Sequence, residues 1–514
     1  MVMRITNQLQ QSNALQNIFR ITEDLFAANQ RVATGKRINK PSDDPLGMQD
    51  TLTLRSSIAQ IQQFGRNIDN NRLYLNTADT ALDSVGLGIT RARELAEANI
   101  GSTSSAQTRA MAALEIQSIL DQTIQEANTQ VKGHFIFGGT ELLNAPYQAN
   151  GSGLGAVYSG NSDTLEVEVG ANLTIPITRP GSEVFGTDMN AALNVNTLLS
   201  DLNGGAGVPV GTFTITNRAG VPTVINTAGL TTVNAVITAI NAAPNITASL
   251  NADGSGLLIA DSTPSNNIIQ SLTITEGSGN TAQSLGILSV SDGNIVGSDL
   301  NPVITAATLI SDLDGGNGLT LGQIDIVNGA LSGTVDLSGA VTVQDVLDAI
   351  NNFPLLPLPP GLNVTASINS QGNALQVVSN DPTTTAVISE VAGGDTALLL
   401  GIGGGNVFTA LDSLREALER NDTSGISASF ENLNGALDTV LQARSKYGAL
   451  VRTMDTLEFG HGADEANETA QLSAVEDSDF VKDASDVAAL QFALEATLNT
   501  SARVLQPSLL DFLR

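Results

Sequence analysis

The chain has 514 residues, with 52 acidic and 23 basic side chains, no Cys, no Trp and two His. Without Cys there is no disulfide framework, thiolate nucleophile, iron–sulfur cluster or Cys-ligated zinc. A net charge of −29 argues against nucleic acid or a lipid membrane as partner.

The length supplies material for about three or four domains. No stretch approaches the roughly 18 apolar residues of a membrane span, and the first twenty residues hold no apolar run of signal-peptide length. A soluble chain without a cleavable leader is expected. The charge is uneven. Residues 1–140 carry 13 basic and 13 acidic side chains, 141–405 carry 2 and 21, and 406–514 carry 8 and 18. The middle is a different kind of protein from the ends.

Taken in chain order, Ile18, Ile21, Leu25, Ala28 and Val32 follow 3-4-3-4 spacing, the seam of an amphipathic helix. Gly35 stands where that helix stops, with Lys36 and Arg37 expected to meet its last carbonyls. Next comes Pro41-Ser42-Asp43-Asp44-Pro45, in which Asp44 fits an N-cap and Pro45 the first helical position. Catalytic use of Asp43 and Asp44 is outweighed by this capping role.

A long helical pattern follows, with Leu54, Ile61, Ile68, Leu75, Leu82, Ile89 and Ala96 at every seventh residue. At 1.5 Å per residue it spans about 65 Å. A break at 101–105 precedes a further helix with Met111, Leu114, Leu120, Ile124, Ala127 and Val131 expected on one stripe. The glycine-bounded run 133–139 reads as a strand or hairpin start, and His134 within it as a polar surface residue.

From about 141 the period changes to that of strands, and a duplication is visible. Residues 198–205 (LLSDLNGG) match 309–316 (LISDLDGG), 232–241 match 342–351, and 245–251 match 363–369. Each unit reads as two strands, a short helix, then two or three strands. The 354–360 stretch is a lengthened loop, and Asp253-Gly254 is turn chemistry. The glycines lack phosphate-loop spacing, and the acids lack a Ca²⁺-loop pattern.

From Phe408 the helical period returns, with Phe430, Leu433, Leu437, Val440, Tyr447, Val451 and Met454 at heptad spacing and Arg444 at one seam position. A polar interruption is expected at 460–465, where His461 suggests no ligand set. The last helix is expected to carry Val487, Leu490, Leu494, Leu498 and Val504 or Leu505 on one face.

The fold class expected is therefore α+β, a long helical coiled-coil bundle built from both chain termini with inserted β-rich domains. The 54–96 helix is expected to pack on 430–454, supported by 107–131. The expected divisions are 1–45, 46–140, a β-rich linking domain 141–197, repeat domains 198–300 and 301–405, then 406–470 and 471–514. The outermost segments, about 5–35 and 484–505, have stripes but few large apolar residues. They are candidates for ordering only on assembly. Ile61, Ile68, Leu75, Leu82, Ile89, Phe430, Leu437, Tyr447 and Val451 are the bundle seam. Ile18, Ile21, Leu25, Val32, Val487, Leu490, Leu494, Val504 and Leu505 are the assembly positions.

Several motifs agree, in order, with one family: Met3-Arg4-Ile5-Thr6, the run from Ala33 to Pro45, Arg66-Asn67-Ile68, Ala92-Arg93-Glu94-Leu95-Ala96, the 133–139 run, Leu494-Glu495-Ala496-Thr497 and the 506–513 terminus. The chain resembles the flagellin superfamily over about 1–145 and 406–514, and more closely its hook–filament junction (hook-associated) branch. The resemblance implies a structural subunit exported unfolded through the flagellar type III pathway. It implies a ring of copies between the preceding hook-associated protein and flagellin, with an export chaperone before secretion and an extracellular flagellar location.

It also implies that 5–35 and 484–505 form the inner layer, with Pro41, Ser42, Asp43, Asp44 and Pro45 at the joint between layers. No cofactor, metal or catalytic residue is expected, and no nucleophile, base and orienter set is present to build an enzyme. Filament flagellin is the nearest alternative. A surface adhesin or phage-tail protein is the more distant one.

Overall fold

The computed structural model describes residues 2–101, 104–150, 155–186, 189, 191–252, 254–353, 361–391 and 393–505, with side chains of 1–8, 10, 11, 150 and 503–505 left aside. The 354–360 loop, Asp253, the 506–513 terminus and part of the 101–105 break lie outside the described residues, as do the side chains of Met3, Arg4, Ile5, Thr6, Val504 and Leu505. Among the described residues, eight helices of nine or more residues carry the fold: α1 (Val2–Thr34), α2 (Pro45–Ile100), α3 (Ala106–Ala127), α4 (Val233–Asn241), α5 (Val343–Asn351), α6 (Val407–Glu419), α7 (Thr423–Glu476) and α8 (Phe480–Leu505). The chain divides into two compact units. One comprises Met1–Asp69, Glu168–Leu173 and Met454–Arg514, the other Asn70–Val167 and Thr174–Thr453.

In the second unit, the heptad residues of α2 turn inward. Leu75, Leu82 and Ile89 are fully buried, as are Leu433, Val440 and Tyr447 of α7, while Phe430, Leu437 and Val451 are half-buried. Small residues let the two helices approach, and a Cβ on Gly86 would lie 3.8 Å from Leu437. Arg444 sits at the edge of this seam and binds two carboxylates of α2, Asp79 at 3.1 Å and Asp83 at 2.6 Å. Phe430 lies under the Arg93 guanidinium, 5.3 Å from its ring centroid.

The α3 stripe needs correcting. Met111 and Leu114 are 63 % and 69 % exposed, and the buried face is Ala112, Ala113, Ile116, Ile119, Leu120, Thr123 and Ala127. Close approach decides the phase: Ile119 faces Gly88 of α2, where a Cβ would meet it at 3.1 Å. The 133–139 run opens with a two-residue hairpin, Gln130–Val131 with His134–Phe135, whose turn needs positive φ at Lys132 and Gly133. Phe137 then joins Tyr147, Tyr158, Phe185, Phe408 and Tyr447 in one aromatic cluster.

The inserted region holds two units that each run through two strands, a helix and three strands, with two further short strands in the first. The first contains β1 (Thr212–Thr216), β2 (Pro222–Asn226), α4, β3 (Ile246–Leu250), β4 (Leu257–Asp261), β5 (Leu272–Ser278), β6 (Val290–Ser291) and β7 (Ile295–Val296). Its antiparallel sheets run β6-β5-β1-β2 and β7-β4-β3. The second contains β8 (Gln323–Asn328), β9 (Leu331–Asp336), α5, β10 (Val364–Ile368), β11 (Leu375–Ser379) and β12 (Ala386–Glu390), paired β9-β8-β12 and β10-β11.

Thr232 and Thr342 cap α4 and α5 alike, and the amides of Asn241 and Asn351 accept the backbone N–H of Ala248 and Ala366. Each unit has its own core, and two short straps cross between them. Met189, Ala191 and Ile304 belong to the second core, whereas Leu193 and Leu300 belong to the first.

Asp299 stands at the foot of these straps, in a cleft of about 750 Å³ that Asp163, Glu183 and Asp314 also line. Burial, with the Asp163 charge beside it, pushes its carboxyl up from 3.8 to about 6, against the backbone N–H groups of Asn301 and Ser162. A raised carboxyl favours folding only when protonated. Stability is therefore lost as pH climbs from about 4 through 6. Asp299→Asn is expected to raise the melting temperature at pH 8 by a few degrees, with the gain vanishing near pH 4. Calorimetry at the two pH values measures this, and an equal effect at both would refute the assignment.

Candidate assembly site

The first unit gathers both chain termini around one joint. Helix α1 stops because Gly35 takes φ +69° and returns its N–H to Arg31 O at 2.8 Å. The loop is then held by its own acids. Asp43 Oδ2 accepts from the N–H groups of Asn39 and Lys40, each at 3.1 Å. Asp44 Oδ1 accepts from Gly47 N–H at 3.0 Å, so Asp44 caps α2 and Pro45 opens it. That Gly47 bond, helped by Arg37 at 3.2 Å, holds the Asp44 carboxyl below its ordinary value.

Lys36 and Arg37 were expected at the end of their own helix. They instead serve the end of α7. Arg37 donates through Nη2 to Val475 O at 2.8 Å and through its backbone N–H to Glu476 O at 2.7 Å. Lys36 Nζ pairs with Glu476 Oε1 at 2.5 Å, and Arg55 of α2 pairs with the same oxygen. The Glu476 side chain is only 4 % exposed. Ser478 N–H donates back to Gly35 O at 3.0 Å, and Asp479 caps α8 through Val481 and Lys482. One turn further on, Arg31 of α1 binds Asp483 of α8 at 2.8 Å, which lowers the Asp483 carboxyl.

The expected interruption at 460–465 is absent. Helix α7 continues to Glu476, and His461 stacks on Phe64 at 5.6 Å while its Nε2 lies 2.7 Å from Val169 O. Glycine weakens a helix by about 1 kcal/mol, and packing outweighs that here.

Helices α1 and α8 pack together. Ile18, Ile21, Leu25 and Val32 face this contact half-buried, with Val487, Leu490 and Leu494, and Ala28 is fully buried. Leu498, expected on the same face, is instead exposed. Outside the pair lies a second apolar stripe. Phe19 and Phe26 are 70 % and 72 % exposed and Phe492 75 %, with Leu15 beside them. The sequence reading passed over these residues, although Leu15, Phe19 and Phe26 stand at i, i+4 and i+11 on one helix face. Ile61 of the seam is half-buried and Ile68 fully buried in this unit. Among the described residues no helix is long and apolar enough to cross a membrane, and no acid–histidine cluster is arranged for a metal.

Residues 5–142 match the bacterial flagellin N-terminal helical region. The resemblance to the hook-associated branch holds as well. The chain is 28 % identical over 189 residues to flagellar hook-associated protein 3 of Salmonella typhimurium, covering 36 % of this chain and 57 % of that protein. It spans little more than half the length of the hook-associated relatives it matches. Flagellin of Escherichia coli is 22 % identical over 95 % of both chains. A solved hook-associated protein 3 from Legionella pneumophila covers 82 % of this chain and 98 % of its own, at 15 % identity and TM-score 0.38.

Removing a buried carboxylate that holds two cations takes their shared partner from Lys36 and Arg55. Glu476→Ala is expected to destabilise the first unit by about 2 kcal/mol, below a fully buried pair because both cations are partly exposed. Hydrogen exchange should quicken over 31–47 and 472–484 and stay unchanged over 75–92. Unchanged exchange at the joint would show that Glu476 does not hold it.

Proposed function

We propose that this chain is a structural subunit of the bacterial flagellum. It forms the junction between the hook-associated ring and the flagellin filament and assembles through its terminal helices. The observation that carries this reading is the pair α1–α8. It is pinned at one end by the Gly35–Glu476 joint and leaves Leu15, Phe19, Phe26 and Phe492 uncovered. Monomers rarely display such a stripe unless another surface covers it.

In this reading Ile18, Ile21, Leu25, Val32, Val487, Leu490, Leu494, Val504 and Leu505 serve assembly. Pro41, Ser42, Asp43, Asp44 and Pro45 form the joint between helical layers. The seam from Ile61 to Ile89 with Phe430, Leu437, Tyr447 and Val451 is frame. The partners are the preceding hook-associated protein, flagellin, further copies of the chain in a ring and an export chaperone before secretion. The product stands outside the cell, and no enzymatic role is proposed.

Filament flagellin is the second reading, favoured by the end-to-end alignment with the Escherichia coli protein. Deletion of the gene separates the two. A junction subunit leaves hooks intact while flagellin escapes into the medium, whereas loss of flagellin itself leaves bare hooks and no released flagellin. Full filaments on the deletion strain would sink both.

Ordering on assembly has its own test. In purified monomer, amides of 5–35 and 484–505 should exchange much faster than those of 61–92. Equal protection in the two sets would remove the coupling between ordering and assembly.

A further inference from the structure

The two inserted units treat one surface differently. In the second, the strand β12 is buried on both sides, and its outer residues Val387 and Ser389 are 0 % and 5 % exposed. The turn before α7 and α7 itself bond the main chain of this strand and of the residues leading into it. Asn432 of α7 donates to Ile388 O at 2.7 Å, Asp422 accepts Thr385 N–H at 3.0 Å, and Arg420 donates to Thr384 O at 2.6 Å.

The counterpart in the first unit is β5, since Ile274 pairs with Ile215 as Ile388 pairs with Ile326. On its outer side Thr275 is exposed and Thr273 half-buried. Register places Thr214 between Val224 and Thr275, and Thr216 beside Thr273, which in turn faces Val290. Val224 and Val290 are 65 % and 64 % exposed. This is a face of threonine and valine with Asp292 at its edge, where that carboxylate accepts from Ser271, in a region that carries 21 acidic and 2 basic residues.

We propose that this open sheet face docks on the α2–α3 face of a second copy of the chain, around Leu87, Met111 and Leu114. Three observations select that occupant. The segment from Arg420 to Asn432, a turn and the start of α7, already bonds the sister strand, so this kind of sheet accepts a helical neighbour. The second copy's acidic regions are repelled by the first unit's own charge, whereas 1–140 is electrically neutral. Within that neutral part, Leu87, Met111 and Leu114 are each more than 60 % exposed, and the neighbouring Arg91 is already satisfied by Glu115 and Glu94. A sheet face of threonine and valine, with its one carboxylate at the edge, meets there an apolar helical face whose ions pair among themselves.

The inference rests on the reading that copies of this chain stand side by side, and the natural absence of Cys gives a clean test. Full-length Thr275→Cys and Leu114→Cys chains are mixed and oxidised, in parallel with a Phe19→Cys and Phe492→Cys mixture that reports contact through the terminal helices. The expected result is a mixed dimer in both experiments. Adding Val224→Glu and Thr214→Glu to the Thr275→Cys chain should abolish the first dimer and leave the terminal-helix dimer intact. A terminal-helix dimer alone overturns the docking and leaves side-by-side assembly standing. A Thr275→Cys dimer formed without the Leu114→Cys partner overturns it in favour of sheet against sheet. No dimer in either experiment overturns the assembly reading and the docking with it.

Discussion

A helix that ends in mid-structure must satisfy its last carbonyls, and the first unit depends on how α7 does so. Four C=O groups at a helix C-terminus have no partner within the helix. Here two of them, Val475 O and Glu476 O, are met by Arg37, and the Glu476 carboxylate gathers Lys36 and Arg55. One buried acid thus ties the loop after α1, the first turns of α2 and the exit of α7 into a single joint. The entry of α8 follows from it, because Ser478 bonds back to Gly35 and Asp479 is left free to cap. The Arg31–Asp483 pair then aligns α1 with α8 one turn later.

Much of the frame was legible because a seven-residue repeat has one geometric meaning. Leu75, Leu82 and Ile89 are buried as their spacing requires. Where legibility failed, the reason was a distant partner. The stripe on α3 was phased by its largest apolar side chains, yet burial followed Ala112 and Ala113, which admit a neighbour closely. Gly460-His461-Gly462 reads as a break until Phe64 appears beneath the imidazole. Lys36 and Arg37 were recognised as cations for a helix C-terminus. Which helix is a matter of tertiary placement, and nothing within seven residues of them reveals α7.

The inserted units show the same limit in another form. Their matched segments place equivalent Thr caps and equivalent Asn bridges, so local architecture follows local sequence. Their surroundings do not. Ser389 and Val387 are buried while Thr275 is exposed and Thr273 half-buried, and the residue choices are similar enough that alternation alone could not tell them apart. Periodicity reports which side of a strand is apolar. It does not report what, if anything, stands on the other side.

The exposed stripe on α1 and α8 sets a scale for assembly. Fully burying one large apolar side chain is worth about 1.5–3 kcal/mol, so Phe19, Phe26 and Phe492 together supply roughly 5–9 kcal/mol. Association consumes an estimated 4–15 kcal/mol in lost translation and rotation. One contact between two copies therefore comes close to balance. In the proposed ring a subunit makes that contact on both sides while being immobilised once, which shifts the balance toward association. The same arithmetic explains why the terminal helices bury so little within one chain. A pair stable enough alone would have its apolar residues turned inward, and nothing would remain to drive the copies together.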